Sequence, residues 1–341
     1  MNVNPVGWPG SAWRVVARVF STGVNAARPA AAVSVEDAMG RAAPITAPDA
    51  DLVLLARGTG AMLAQVPDGT IESGNKRGIY AVDWQRIRTL SSTVASGSYS
   101  VVAGGSGNRA QSSYAAVGGG VGNLADAGYS YIGGGNSNSA TGLYSFVGGG
   151  TANSATGLVS SVLGGGVHNA NGAYSAILGG YLGNTRSISG YCVIPACQDP
   201  MSTGTGGTIQ SARLLMGRQT TNDTATVLTS TTSAAATTNQ VVLPNNSAYS
   251  FSGEVIATIT GGGDTARWTI NGAIKRGANA ASTTLVGTPT VTMTHNDAGA
   301  AAWVAAVTAN TTLGCLTVTV TGAAATTIRW VAKIDTTEVT F

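Results

Sequence analysis

A fifteen-residue repeat fills the middle of the chain and constrains its fold more than any other feature. Tyr99, Tyr114, Tyr129 and Tyr144 stand fifteen residues apart, and Val159 and Tyr174 continue the series. Each unit also carries an asparagine: Asn108, Asn123, Asn138, Asn153, Asn169 and Asn184. The steps between them are 15, 15, 15, 16 and 15, which places an extra residue in the fifth unit, where Val162-Leu163 stands for one apolar residue. Glycine clusters punctuate the units, with Gly119, Gly134, Gly149 and Gly165 inside them.

Fifteen residues are too few for a helical hairpin, whose repeats exceed about 30. They suffice for one coil of a β-solenoid. Each unit offers two short strand-like pieces, of the form Tyr-Ser-x-Val/Ile and Asn-x-Ala, with turn residues between. Tight corners take glycine, and after it asparagine, because φ turns positive there. Small inward residues fit a narrow roll, and coils stack because one coil cannot bury its own face. The six repeat asparagines and the four cluster glycines are therefore read as turn-forming residues.

Composition excludes several function classes. Charged residues are 10% of the 341, against about 25% in an ordinary soluble domain. The formal charge of +3 is too small and too scattered for a nucleic-acid stripe. Apolar residues make up 43%, enough for a core, and no segment approaches the ~20 uninterrupted apolar residues of a membrane helix. Between Gly97 and Ser189 the charged residues are Arg109, Asp126 and Arg186. A glycosidase needs two carboxylates about the scissile bond, and Asp126 stands alone in that segment. No nucleophilic triad is visible around His168 and His295, and the glycine clusters lack the Gly-Lys-Ser/Thr of a phosphate loop. Cys192 and Cys197 are spaced so that they can pair, but nothing completes a zinc site with them, and Cys315 reads as a small core residue. No catalytic residue, metal or cofactor is expected.

The flanks differ from the repeat. Residues 1–50 are rich in Ala and Val, and 51–96 lead into the repeats of 97–190. A linker with Pro195, Pro200 and Ser-Thr-Gly-Thr-Gly-Gly spans 191–207. Residues 208–341 hold nine alternating apolar stretches separated by turns such as Gly261-Gly262-Gly263-Asp264, the pattern of a β-sandwich or jelly roll. Trp268 and Trp303 lie within such stretches, and either pack the core or stack on a sugar, with Arg276 beside an acidic one.

The run Asn138-Ser-Ala-Thr-Gly-Leu-Tyr-Ser-Phe-Val-Gly-Gly149 resembles the head repeat of trimeric autotransporter adhesins of the YadA type, whose repeats recur in bacteriophage tail fibres. The lead-in Gly74-Asn-Lys-Arg-Gly-Ile-Tyr-Ala-Val-Asp-Trp-Gln85 and the C-terminal Ala266-Arg-Trp-Thr-Ile-Asn-Gly-Ala-Ile-Lys-Arg276 resemble segments of phage structural proteins. The resemblance implies an all-β homotrimer: a left-handed parallel β-roll shaft, a C-terminal jelly-roll-like sandwich and a small mixed N-terminal region. It implies docking to a virion tail, baseplate or capsid protein through Trp8, Trp13 and Phe20, and binding of a host surface glycan or protein through the C-terminal domain, with Trp268, Arg276 and Trp303 as contacts. It implies a virion protein, a tail fibre or receptor-binding protein assembled in the host cytoplasm, with neither enzymatic activity nor membrane insertion. The alternative is a capsid decoration or head fibre. A bacterial adhesin would call for a secretion signal, a coiled-coil stalk and a membrane anchor, none of which the sequence displays. A depolymerising tailspike would call for acidic pairs on its solenoid.

Overall fold

The computed structural model describes residues 61–65, 67–201 and 204–341. The expected docking residues Trp8, Trp13 and Phe20 lie outside the described residues. What is described is an all-β solenoid that runs into antiparallel sheets.

Each coil contributes one strand to each of two ladders. The first ladder stacks Val101–Val102, Ala116–Val117, Tyr131–Ile132, Phe146–Val147, Ser161–Val162 and Ala176–Ile177 in parallel. The second stacks Arg109–Ala110, Leu124–Ala125, Ser139–Ala140, Ser154–Ala155 and Asn169–Ala170. In both ladders the second residue of each strand points inward and is buried. Stacked Val/Ile and Ala columns fill the roll, because only small side chains fit between two ladders so close together. The first ladder also extends below residue 97, through Val82–Asp83 and Met62–Leu63, with longer coils there: Val82 pairs with Val101 and Met62 with Val82.

Buried asparagines solve the hydrogen-bonding problem of the corners. Asn138 Nδ2 donates to the carbonyls of Gly134 and Gly150, 2.9 and 3.0 Å away, and its Oδ1 accepts the Asn153 amide at 3.0 Å. Asn108, Asn123 and Asn153 repeat the arrangement. Gln85 starts this column from outside the fifteen-residue period: its Oε1 accepts the Asn108 amide at 2.9 Å.

Two sequence assignments shift here. The column continues through His168, not Asn169: His168 is buried, its amide donates to Asn153 Oδ1, and its Nδ1 accepts the Gly183 amide. Asn169 opens a strand of the second ladder, and Asn184 bridges to it one coil later. The fifth unit therefore has no extra residue, since Ser161 pairs with both Phe146 and Ala176. The insertion lies in the last coil, where Ala176 pairs with Cys192 and Arg186 and Ser187 take φ of 53° and 58°. The glycines also sort differently. Gly134 and Gly149 face open space, as does Gly119. Gly105, Gly120, Gly135, Gly150 and Gly165 combine confinement with φ between 82° and 93°. A Cβ there would overlap the carbonyl oxygen of the next coil.

Strand Cys192–Pro195 turns the solenoid into the C-terminal region. It pairs in parallel with Ala176–Ile177 and antiparallel with Ile209–Thr220, so no sheet edge is left at that end of the first ladder. The sheet continues through Ile328–Thr340, Ser247–Ile259 and Thr265–Arg276. A second antiparallel sheet holds Thr226–Val227, Val241–Val242, Val304–Asn310 and Cys315–Thr321. The two share one core with Leu214, Phe251, Val318 and Trp330. All nine alternating stretches contain a strand; Thr284–Leu285 is a tenth.

Candidate binding surfaces

The outer corner of each coil is a residue in the left-handed region, a conformation that costs a non-glycine residue roughly 1–2 kcal/mol. The chain nonetheless places Tyr80, Tyr99, Tyr114, Tyr129, Tyr144, Val159 and Tyr174 there, with φ between 54° and 61°. At a pitch set by strand spacing, about 4.8 Å, their rings fall into a stack. Consecutive centroids from Tyr80 to Tyr144 lie 5.0, 5.0, 4.8 and 4.9 Å apart. The rings are about half exposed, and Leu143 and Leu158 beside them are exposed as well. A second stacked pair, Tyr131 and Phe146, projects from the first ladder at 5.7 Å.

Several charged groups of the solenoid are paired within the fold. Arg109 bonds Asp126 from the next coil, its Nε donating to Oδ1 at 3.0 Å. At the lower end Asp83 is buried between two arginines, with Arg77 Nε at 2.8 Å and Arg88 Nη2 at 3.4 Å. Burial holds the Arg77 guanidinium below its usual pKa, although Asp83 opposes the shift. At the upper end Glu338 is the hub of a buried network. Its Oε2 accepts from Arg186 Nη2 at 3.0 Å and Gln210 Nε2 at 2.8 Å. Its Oε1 accepts from Thr336 at 2.8 Å and from the Tyr191 hydroxyl. Burial, followed by the adjacent carboxylate, pushes the Tyr191 hydroxyl well above its ordinary 10.0. Arg186 also lies 5.7 Å over the Tyr249 ring. Arg186 and Tyr191 belong to the last coil and Gln210, Tyr249 and Glu338 to the sheets, so this network ties the two together.

His168 is the titratable member of the asparagine column. Desolvation lowers its pKa from 6.5; the carbonyls of Gly180 and Gly164 lie toward Nε2, which makes no close hydrogen bond. A neutral ring whose Nδ1 accepts the Gly183 amide matches the asparagine geometry. The unfolded chain takes up the proton first, so this group's contribution is intact above 6.5 and is lost as pH falls below it. His168→Asn is expected to remove that acid-induced loss, seen as a smaller drop in melting temperature between about pH 7 and pH 5 than the native chain shows.

In the C-terminal region Trp268 and Trp303 are buried. Their rings lie 5.6 and 5.8 Å from that of Trp330, all three at most 3% exposed. These tryptophans therefore build the core and offer no face to a sugar. Trp268 sits on the inward side of strand Thr265–Arg276, and Trp303 immediately precedes strand Val304–Asn310. Arg276 does reach a surface depression of about 390 Å³, lined also by Lys275, Ser247, Ser282 and Phe341. Its Nη1 donates to the Leu243 carbonyl at 2.5 Å, and its Nε is buried without a partner. His295 lines a second depression, with Arg267 and Asp297. Cys192 and Cys197 are unpaired and Cys315 is buried. Among the described residues no group of three His, Cys, Asp or Glu is placed to hold a metal. Gln85, Glu338 and the tyrosine stack escape sequence reasoning in different degrees; the tyrosine period alone gives a signal.

No family model matches the chain. No curated protein matches it either. Among solved structures, a tailspike protein of Acinetobacter baumannii bacteriophage Fri1, described as a capsular polysaccharide depolymerase, aligns at 10% identity and TM-score 0.25 over 75% of this chain. This chain spans 44% of that one. The tailspike of Acinetobacter phage vB_ApiP_P1 aligns at 9% identity and TM-score 0.17, over 82% of this chain and 76% of that one. Both are distant likenesses to phage tailspikes with too little superposition to assign a role, and the chain's own residues carry the reading below.

Proposed function

We propose that this chain is a structural protein of a virus particle, a tail fibre or receptor-binding appendage that attaches the particle to the host surface. The observation that supports it most is a nearly uncharged solenoid fused, through one uninterrupted sheet and the Glu338 network, to a terminal pair of antiparallel sheets. Such a body holds one end at a fixed distance and orientation from the other. The repeat's resemblance to the YadA head adds the finer reading: a homotrimeric left-handed roll ending in a jelly-roll-like domain. The N-terminus docks to a tail, baseplate or capsid protein, and the C-terminal domain meets a host glycan or protein.

Within that domain the depression beside Lys275 and Arg276 is lined by two cationic side chains and no acidic side chain, which suits an anionic group. The reading is non-enzymatic, since Asp126, the lone acid of the repeats, is already bonded to Arg109. Gold-labelled antibody against the chain, viewed on intact particles, is expected to mark the tail. Label spread over the capsid would make the protein a decoration instead. Release of reducing ends from host polysaccharide would overturn the non-enzymatic reading.

A further inference from the structure

We infer that the roll carries a site for an uncharged sugar ring near its C-terminal end, in the notch between Tyr144 and Tyr174. The inference deepens the host-surface contact of the reading above, on which it rests for the source of the ligand, and sets the site on the roll, apart from the C-terminal sheets. It starts where the tyrosine stack stops. The corner after Tyr144 is Val159 and the corner after Tyr174 is Gly190, with φ of 54° and 76°. These corners keep the ladder of the stack: the Val159, Tyr174 and Gly190 amides donate to the Leu143, Leu158 and Ala173 carbonyls at 2.9, 2.7 and 2.9 Å. Even a Cβ added at Gly190 would meet no heavy atom within 4 Å. Tyr174 therefore has a valine at the corner below it and no side chain at the corner above. It is 64% exposed, against 46–51% for the five stacked tyrosines.

The dimensions suit one ring. Val159 ends at its γ-methyls, short of the reach of a tyrosine ring, and its exposure makes it an open floor, with Leu158 beside it. The Tyr144 and Tyr174 corners are two coils apart, about 10 Å at the strand spacing. A six-membered ring in van der Waals contact with both tyrosines needs ~3.5–4 Å on each side, or roughly 7–8 Å in all. One such ring fits, with room to tilt over the valine.

The chemistry selects a sugar without charge. From Tyr144 to Gly190 the one charged residue is Arg186, and it is bonded to Glu338. Residues 230–239 carry no charge either. They hold the last coil at its corner: the Ser189 amide donates to the Thr238 carbonyl, and Ser230 Oγ donates to the Ser189 carbonyl, both at 2.7 Å. Thr238 is exposed there, so a hydroxyl borders an apolar notch. A pyranose presents the matching surface, a face of C–H groups for the electron-rich face of an aromatic ring and a rim of hydroxyls. Lower in the roll the faces between Tyr80 and Tyr144 are covered by neighbouring rings at 4.8–5.0 Å, which leaves no such opening.

The test is saturation-transfer NMR on the full chain, with the methyl β-pyranosides of glucose, galactose and N-acetylglucosamine as probes. Transfer to at least one of them is expected. Tyr174→Ser is expected to abolish it. Val159→Tyr continues the stack through the notch, at a corner that other coils already fill with tyrosine. It is expected to weaken binding about tenfold, with far-ultraviolet circular dichroism and melting temperature kept. Tyr181→Ser, at an exposed tyrosine outside the stripe, is expected to leave binding unchanged. No transfer to any of the three sugars, binding that survives Val159→Tyr, or equal loss in Tyr181→Ser and Tyr174→Ser overturns the inference. Transfer to p-cresol with none to the sugars also overturns it, and would assign the notch to an aromatic side chain of a protein partner. The assay uses free protein, so its failure leaves attachment through the C-terminal sheets standing, and label on the capsid would leave this site standing.

Discussion

Gly135→Ala is expected to abolish cooperative folding of the solenoid, while Gly134→Ala, one residue earlier, leaves it intact. Gly135 has φ of 90°, and a Cβ there would overlap the Gly150 carbonyl oxygen of the next coil and crowd Asn138 Nδ2. Neither neighbour can retreat. The carbonyl is locked in a ladder of fixed spacing, and the Asn138 amide bonds the Gly134 and Gly150 carbonyls. The strained backbone costs about 1–3 kcal/mol, and the overlap at least as much again. Prising two coils apart also forfeits the asparagine bonds on either side. At Gly134 the nearest heavy atom is 4.0 Å from an added Cβ, so the change should fall within about 0.5 kcal/mol. Thermal melts followed by circular dichroism separate the outcomes; equal melting temperatures for the two variants would refute the confinement argument.

Glu338→Ala should cost about 3–5 kcal/mol, the usual penalty for stranding a buried charge. Arg186, 8% exposed at its side chain, would keep the Gly207 carbonyl as its remaining close acceptor. Tyr191 and Gln210 would each lose one acceptor in the same step, keeping only Thr336 Oγ1 and the Asn184 carbonyl as acceptors. Since the carboxylate joins the last coil to the sheets, the loss should also split a single calorimetric transition into two. Adding Arg186→Met removes the stranded charge and should recover part of the stability. Full additivity of the two changes would show that the groups do not act as a unit.

The sequence carries the solenoid openly, because a coil that repeats its side-chain demands repeats its residues. It carries the register less faithfully. Asn169 looks like the next member of the asparagine series, yet His168 holds the place, since an imidazole Nδ1 accepts the same amide as an asparagine Oδ1. Aligning on residue type displaced the extra residue from the last coil to the fifth, and with it the choice among neighbouring glycines. The tyrosine column was legible as a period but not as a left-handed corner, where glycine or asparagine is the ordinary expectation. Gln85 caps the asparagine column from 23 residues away, and Arg186 meets Glu338 across 152. Partnerships that distant leave no local pattern. Trp268 lies in a strand as expected, whereas Trp303 falls just before one, and which face is covered depends on the second sheet, which composition does not reveal.

The asparagine column has a consequence for length. Every interior coil presents the same donors and acceptors above and below, while unlike residues close the column: Gln85 at one end, His168 and the Gly183 amide at the other. A coil can be removed or duplicated between these ends without creating an unmatched group, and each such step alters the reach by one strand spacing, about 4.8 Å. The shaft is thus a ruler with fixed graduations. Changes of size come in whole fifteen-residue increments, and a gain or loss of any other size must be absorbed in the terminal coils, where the structure already places its irregular ones.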